Sequence, residues 1–365
     1  MSARFTVRTL VALAVLARAA AALAVDVGDG KLSIHGNGGW NYAITDRNFY
    51  QADSDGDYRL SMFDLALSAR PADRLVISAQ LGFGSEEGAG LEWAFAEWRF
   101  SDVARLRIGQ VKHPFGNFME AQFVGTARPF FTLPTSVYGP ADLGAASYYG
   151  VGLTGDLDLG GDWALQYDAY GGAIDLDTFE PYQALEPGFD PDVPLEEETV
   201  NVENIVGGRV SLTAPNGLVF RASAYGGRVA QEEGEGSPGL FIGGLSALFR
   251  GDRLWLSAEA FVSREAGSER QVSAYAEAAW FVTERLQAAA RYEVSRKDLD
   301  AFDGSSPLLR HDEAGFGLSF WFTPEFVVKA SVHRAEGLRF VQAEEGEADP
   351  ARVTWLGVAG AQFSF

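Results

Sequence analysis

The gaps between the alternating segments of this chain come in two kinds, and the two kinds take turns. About sixteen segments carry the period-two pattern of strands, near 31–44, 58–70, 74–83, 90–100, 104–111, 147–155, 162–174, 203–213, 217–227, 239–250, 253–264, 270–282, 285–296, 309–322, 325–335 and 353–365. Every second gap is short: Pro71-Ala72-Asp73, Ser101-Asp102-Val103, Pro215-Asn216, Gly251-Asp252, Thr283-Glu284 and Thr323-Pro324, with a slightly longer turn at 156–162. Most hold the Gly, Pro, Asn or Asp that tight hairpins favour. The gaps in between are mostly longer and acidic. Asp53, Asp55 and Asp57 sit in the first, ten acids and no Lys or Arg in 175–203, Glu232, Glu233 and Glu235 in the fifth, and Glu344, Glu345, Glu347 and Asp349 in the last. A soluble sandwich has no reason to sort its loops by parity. A membrane β-barrel does, with short turns on one side, long loops on the other and both termini on the short-turn side.

Within the segments, Leu286, Ala288, Ala290, Tyr292 and Val294 alternate with Gln287, Arg291 and Glu293, and Phe326, Val328, Ala330 and Val332 alternate with Lys329, Ser331 and His333. Past the N-terminus no apolar run reaches the ~20 residues of a membrane helix. A chain that spans lipid without helices must close into a barrel, because every backbone group has to be paired internally. Many apolar-parity positions are Ala or Gly, which suits a lipid face better than an interlocking core. Trp40, Trp98, Trp163, Trp280 and Phe322 fall near strand ends, where an aromatic girdle belongs. In the last segment Trp355, Gly357, Ala359, Ala361, Phe363 and Phe365 share one face, and the chain ends on Phe365. The expected fold is all-β: a transmembrane antiparallel β-barrel of about 16 strands over residues 25–365.

Residues 1–24 have the pattern of an export signal, with basic Arg4 and Arg8, an apolar stretch at 10–17 and the small-x-small Ala22-Leu23-Ala24. Net charge is -21, which argues against nucleic acid as a partner, since phosphate binding needs a basic face. No cysteine is present, so disulfides and thiolate metal sites are excluded. His35, His113, His311 and His333 show no metal-ligand spacing, and neither a Gly-x-Ser-x-Gly elbow nor a phosphate loop occurs. The expectation is no enzymatic chemistry, no cofactor and no metal.

One gap differs from the rest. Residues 112–146 run for roughly 35 positions without a period, a length that marks a functional or disordered segment. Phe115, Phe118, Phe123, Phe130, Phe131 and Tyr138 argue for packing, since disordered segments are poor in aromatics. The segment is expected to fold into the lumen as a constriction loop. Parity sends Arg70, Arg99, Arg105, Arg107, Arg221, Arg291 and Lys329 inward, together with Asp64, Glu97, Asp168, Glu259, Glu277 and Glu293. Rings of charge at a constriction set selectivity. The candidate pore-lining set is therefore Arg105, Arg107, Lys112, His113, Glu120, Arg128 and Asp142, with Arg221 and Arg291 on facing strands. Arg128 reads equally as a bridge fixing the loop to the wall.

The run Arg107-Ile108-Gly109-Gln110-Val111-Lys112-His113-Pro114-Phe115-Gly116 resembles the R-x-G-x-x-K-x-P-F-G segment of outer-membrane porins related to the phosphate-selective porin O/P family. Arg128-Pro129 and Leu133 to Tyr138, followed by Tyr149-Gly150-Val151-Gly152-Leu153, are similar to a porin-like branch of that group. The Phe365 ending also resembles the C-terminal signal of outer-membrane porins. The resemblance implies a Gram-negative outer-membrane location, a 16-stranded barrel, a homotrimer among lipid and lipopolysaccharide, and an inward-folded third loop. It implies passive diffusion of small hydrophilic solutes or ions, with anion preference as an expectation. The phosphate channels line their pores with lysine; the inward basic residues here are mostly arginine, interspersed with carboxylates. A substrate-specific channel for phosphate or small organic anions, an outer-membrane hydrolase with a rim site and a plugged scaffold remain alternatives.

Overall fold

The computed structural model describes residues 25–27, 31–46, 51–84, 88–141, 143–179, 198–230, 237–265, 269–299, 306–341 and 352–365. The proposed leader 1–24 and Asp142 lie outside them, as do most of the acidic stretches at 180–197, 231–236 and 342–351. The described chain forms seventeen strands: β1 (Val25–Val27), β2 (Leu32–Thr45), β3 (Met62–Ala72), β4 (Leu75–Gly84), β5 (Gly88–Ser101), β6 (Ala104–Lys112), β7 (Ser147–Gly160), β8 (Trp163–Thr178), β9 (Glu198–Thr213), β10 (Leu218–Val229), β11 (Gly239–Arg250), β12 (Leu254–Glu265), β13 (Glu269–Phe281), β14 (Leu286–Leu299), β15 (Arg310–Thr323), β16 (Phe326–Gly337) and β17 (Val353–Ser364). From β2 to β17 each strand pairs antiparallel with its sequence neighbour, and β17 pairs with β2, so a closed 16-strand barrel results.

The Phe365 and Gly36 backbones exchange two hydrogen bonds of 2.9 Å. The Phe365 ring covers Gly36, where a side chain would strike it, and stacks on Phe63 at 6.5 Å. Beyond the point where β17 stops, β1 takes over the same edge of β2, with Val25 opposite Ile34 and Val27 opposite Leu32. This short strand was not among the segments read from the sequence, because three residues are too few to show a period.

Burial inverts the order of a soluble core. On β14 Tyr292 is 54% exposed while its neighbour Glu293 is 1% exposed, and on β12 Val262 (43%) and Glu259 (3%) repeat the contrast. The outward residues are Leu, Val, Phe, Tyr, Ala and Gly, and the girdle residues Trp40, Trp98, Trp163, Trp280 and Phe322 are all exposed. Exposed apolar area costs roughly 25 cal/mol per Å² in water, a cost that a lipid surround removes. The inward strand faces carry most of the buried charged and polar side chains, and an apolar cluster that includes Phe115, Phe118, Tyr148, Tyr170 and Phe261 fills the interior where the 113–146 segment meets the wall.

Candidate functional site

Residues 113–146 join β6 to β7 through a 3-10 turn at Met119–Ala121, a second at Gly125–Ala127 and a helical turn at Thr135–Tyr138. Single turns leave no sequence period, which is why none was legible. Among its described residues none is exposed and most are buried, with 120–124 half-buried, and many of its polar groups are met by polar-parity side chains of the barrel wall.

Three attachments dominate. On β12, the Glu259 carboxylate accepts from Asn117 N (2.8 Å), Tyr275 Oη (2.7 Å), Ser246 Oγ (2.6 Å) and Tyr138 Oη. Asn117 also donates through Nδ2 to Ala247 O and Ser257 Oγ, each at 3.1 Å, and accepts from Arg221 at 2.5 Å. Gly116 makes the preceding turn at φ 58, a left-handed conformation that favours glycine. On β16, Lys329 Nζ donates to the carbonyls of Gly125 (2.8 Å), Arg128 (2.6 Å) and Phe130 (3.1 Å) and to Gln362 Oε1 (2.6 Å). On β14, Arg291 donates to Thr132 O (3.0 Å) and Thr132 Oγ1 (3.2 Å), while Glu293 Oε2 accepts from Ser136 N at 2.7 Å. Smaller ties join Ser319 Oγ to Pro129 O (2.9 Å), Gln271 Nε2 to Ala141 O (2.8 Å) and Arg250 to Ala127 O.

The candidate residues divide accordingly. Arg105 pairs with Asp156 at 2.7 Å and Arg107 with Glu97 at 2.9 Å, both on the β5–β7 wall. Lys112 lies 4.3 Å from the Trp93 ring centre. His113 is fully buried, with Nε2 2.8 Å from Tyr170 Oη and its ring stacked on Phe115. Burial, with Arg209 adding to it, pushes its pKa down to about 3, so the ring is neutral. Glu120 meets Arg209 at 2.5 Å, and Arg209 also holds Asp168 at 2.9 Å. Arg128 is buried and donates to Phe131 O (3.0 Å) and Gln122 O within its own segment. Arg221 and Arg291 are buried against the segment. Parity reasoning had sent Lys329 and Glu259 inward without giving them a partner. Arg209 and Arg250 were not selected at all. Arg209 follows the irregular backbone at Asn204 (φ 53), where the alternation of β9 shifts.

Polar-parity exposure is uneven around the barrel. On β12 to β16, Ser257, Ser273, Glu277, Gln287, Arg291, Glu293 and Lys329 are all buried. On β3 to β6, Asp64, Gln80 and Glu97 are buried, but Ser68, Ser78, Arg105 and Arg107 keep partial exposure, and Arg70 and Arg99 are exposed.

Glu120 sets a pH dependence. Burial alone would raise its pKa, but Arg209, Arg107 and Lys112 outweigh burial and hold it below the ordinary value of 4.5. A lowered folded-state value contributes stability that is present above 4.5 and lost as pH falls through the lowered value. Acidification is expected to loosen the 119–121 turn from Arg209, raising current noise in bilayer recordings at acid pH. Glu120→Gln is expected to show that noise already at neutral pH, with no acid-dependent step.

Comparison with solved structures gives one fold. The chain is similar to the anion-selective porin of Comamonas acidovorans (TM-score 0.60, 14% identity, 92% of this chain and 99% of that one). It is also similar to OmpF of Salmonella typhi in complex with daunomycin (0.61, 11%, 93% and 100%) and to the outer-membrane channel DcaP of Acinetobacter baumannii (0.57, 9%, 92% and 97%). No family model and no curated protein matches. The fold is that of the outer-membrane porins.

Proposed function

We propose that the chain is an outer-membrane channel for passive diffusion of small hydrophilic solutes or ions, narrowed by residues 112–146 folded into the lumen. The observation that carries this reading is the uneven burial of the inner wall. The segment is bonded to the β8–β17 side, and the passage runs past the partly exposed side chains of β3–β6. Arg70, Arg99, Arg105 and Arg107 line that passage, with Arg99 directly opposite Arg105 in register. Asp102, Asp156 and Glu97 offset three of the four, so the preference for anions is weak. The anion-selective porin with the same fold supports this direction. Phosphate specificity draws support only from the resemblance of residues 107–153, against an arginine-based wall. A homotrimer, lipopolysaccharide contact and removal of residues 1–24 rest on sequence pattern and resemblance.

A hydrolase reading has one observation in its favour. Ser331 Oγ is 2.8 Å from His333 Nε2, and His333 Nδ1 is 2.7 Å from Glu313 Oε1, the order of a hydrolytic triad. The backbone donors around Ser331 belong to the ladders with β15 and β17, so these strands offer no spare donor for an oxyanion. Phe130 packs on His333 at 5.5 Å. The channel reading stands.

Planar-bilayer recording under a salt gradient tests the proposal. Discrete conducting steps with a reversal potential on the anion side are expected, and Arg107→Gln combined with Arg105→Gln is expected to move that potential toward the cation side. A cation-selective wild type overturns the anion preference. A folded barrel that conducts nothing overturns the channel.

A further inference from the structure

We infer that the lumen face of β14 and β15 forms a binding site for a first-row divalent cation of the zinc class, with Glu293, His311 and Glu313 as ligands. One ligand atom from each residue lies within 4.8 Å of the others. His311 Nε2 and Glu313 Oε2 are 3.5 Å apart, close to the ligand–ligand edge of a tetrahedral site with bonds of about 2.0–2.1 Å. All three side chains are nearly inaccessible, at 1%, 1% and 2% exposure.

The register creates the site. Glu293 stands directly opposite Glu313, and His311 is two residues before Glu313 on the same face. Like charges placed directly across a strand pair are destabilising, and burial makes them more so. Arg291 answers part of this, at 3.1 Å from Glu293 and 3.3 Å from Glu313, and it also reaches Glu277 at 3.8 Å. One guanidinium set between two opposed carboxylates leaves a negative charge over.

The oxygens show where a cation fits. Glu293 Oε2 is occupied by Ser136 N, and Glu313 Oε1 by His333 Nδ1 and Arg291. Glu293 Oε1 faces Arg291 Nε at 3.1 Å and Glu313 Oε2 faces His311 Nε2 at 3.5 Å; both oxygens are buried and neither contact has hydrogen-bond geometry, a costly state for a carboxylate oxygen. Each carboxylate is thus oriented through one oxygen and presents the other, which is how outer hydrogen bonds aim metal ligands. Two carboxylates and one imidazole suit zinc and its neighbours, whereas calcium and magnesium call for oxygen-only sets. Ser136 N hangs on Glu293, and Thr132 on Arg291, which meets both carboxylates, so an ion here would stiffen the 132–136 stretch.

The test is a Co²⁺ titration of the full-length protein refolded in detergent micelles, read by its visible d–d absorption and competed with Zn²⁺. One Co²⁺ per chain, displaced by Zn²⁺, is expected. Glu293→Gln, which keeps an acceptor for Ser136 N–H, and His311→Gln are each expected to weaken binding by more than the about 10–100-fold that loss of an orienting partner costs. His333→Gln is expected to fall within that range and to keep the stoichiometry. Heat-resistant gel mobility identifies the folded barrel in each variant. Absence of saturable one-to-one binding, or binding unchanged in folded Glu293→Gln and His311→Gln proteins, overturns the site; the readout is independent of conduction.

Discussion

Lys329→Met is expected to raise single-channel conductance and make it noisy, because it releases the middle of the 113–146 segment from the wall. One ammonium serves the carbonyls of Gly125, Arg128 and Phe130, and Gln362 Oε1. Hydrogen bonds to charged groups are worth roughly 1.5–3 kcal/mol each. These four share one donor group and do not sum, so a loss of about 3–5 kcal/mol in local attachment is expected, the range for breaking a buried charged contact. Methionine fills much of the lysine volume and adds no cavity, so the barrel itself should persist. Bilayer recording and protease sensitivity of the segment check this together. Wild-type conductance and protection in the variant would show that Lys329 is not what holds the segment.

The second large effect is expected at Glu259. Glu259→Leu takes the shared carboxylate from Asn117 N, Tyr138 Oη, Tyr275 Oη and Ser246 Oγ, stranding Tyr138 Oη and Ser246 Oγ and leaving Asn117 N and Tyr275 Oη only Tyr138 Oη and Ser257 Oγ. A buried donor left unsatisfied costs about 1–3 kcal/mol. With partial rearrangement among the four, a destabilisation of about 3 kcal/mol or more is expected, read as a lower denaturant midpoint of the folded band. Glu259→Gln keeps one acceptor oxygen and should cost clearly less. The Tyr138 hydroxyl also accepts from Asn117 N and Phe118 N at 2.9 Å, and burial, with the Glu259 carboxylate adding to it, holds its pKa well above the ordinary value of 10.0. Tyr138→Phe therefore removes both ends of this relay and should reproduce much of the Glu259→Leu loss in segment protection while sparing the barrel. Equal stability of Glu259→Leu and wild type would remove this node from the account.

The barrel was legible because two independent periodicities agree. Side chains alternate along each strand, and connections alternate between turns such as Thr323-Pro324 and long acidic loops. Both follow from local chemistry, so both survive in the sequence. The attachments of 113–146 were not legible, because each joins residues far apart: Lys329 and Gly125 are separated by 204 positions, and Ser136 and Glu293 by 157. Parity says that Lys329 and Glu259 point inward, but not what they meet there. The same limit applies to Arg128, Arg221 and Arg291. Their charge suggested an open ladder, and the structure instead sets Arg128 and Arg291 on loop carbonyls and Arg221 on the side-chain amide oxygen of Asn117. Arg105 and Arg107 lie on the partly exposed wall because their partners, Asp156 and Glu97, come from adjacent strands.

The most direct test of the central claim uses the absence of cysteine from the chain. Ser78→Cys on β4 places a thiol on the wall assigned to the passage, and Ser273→Cys on β13 places one where the inner wall is fully covered. Each is exposed to a charged, membrane-impermeant thiol reagent while current is recorded. The account predicts a stepwise change of current for Ser78→Cys and none for Ser273→Cys. A response at Ser273→Cys with none at Ser78→Cys would put the passage on the opposite wall and contradict it.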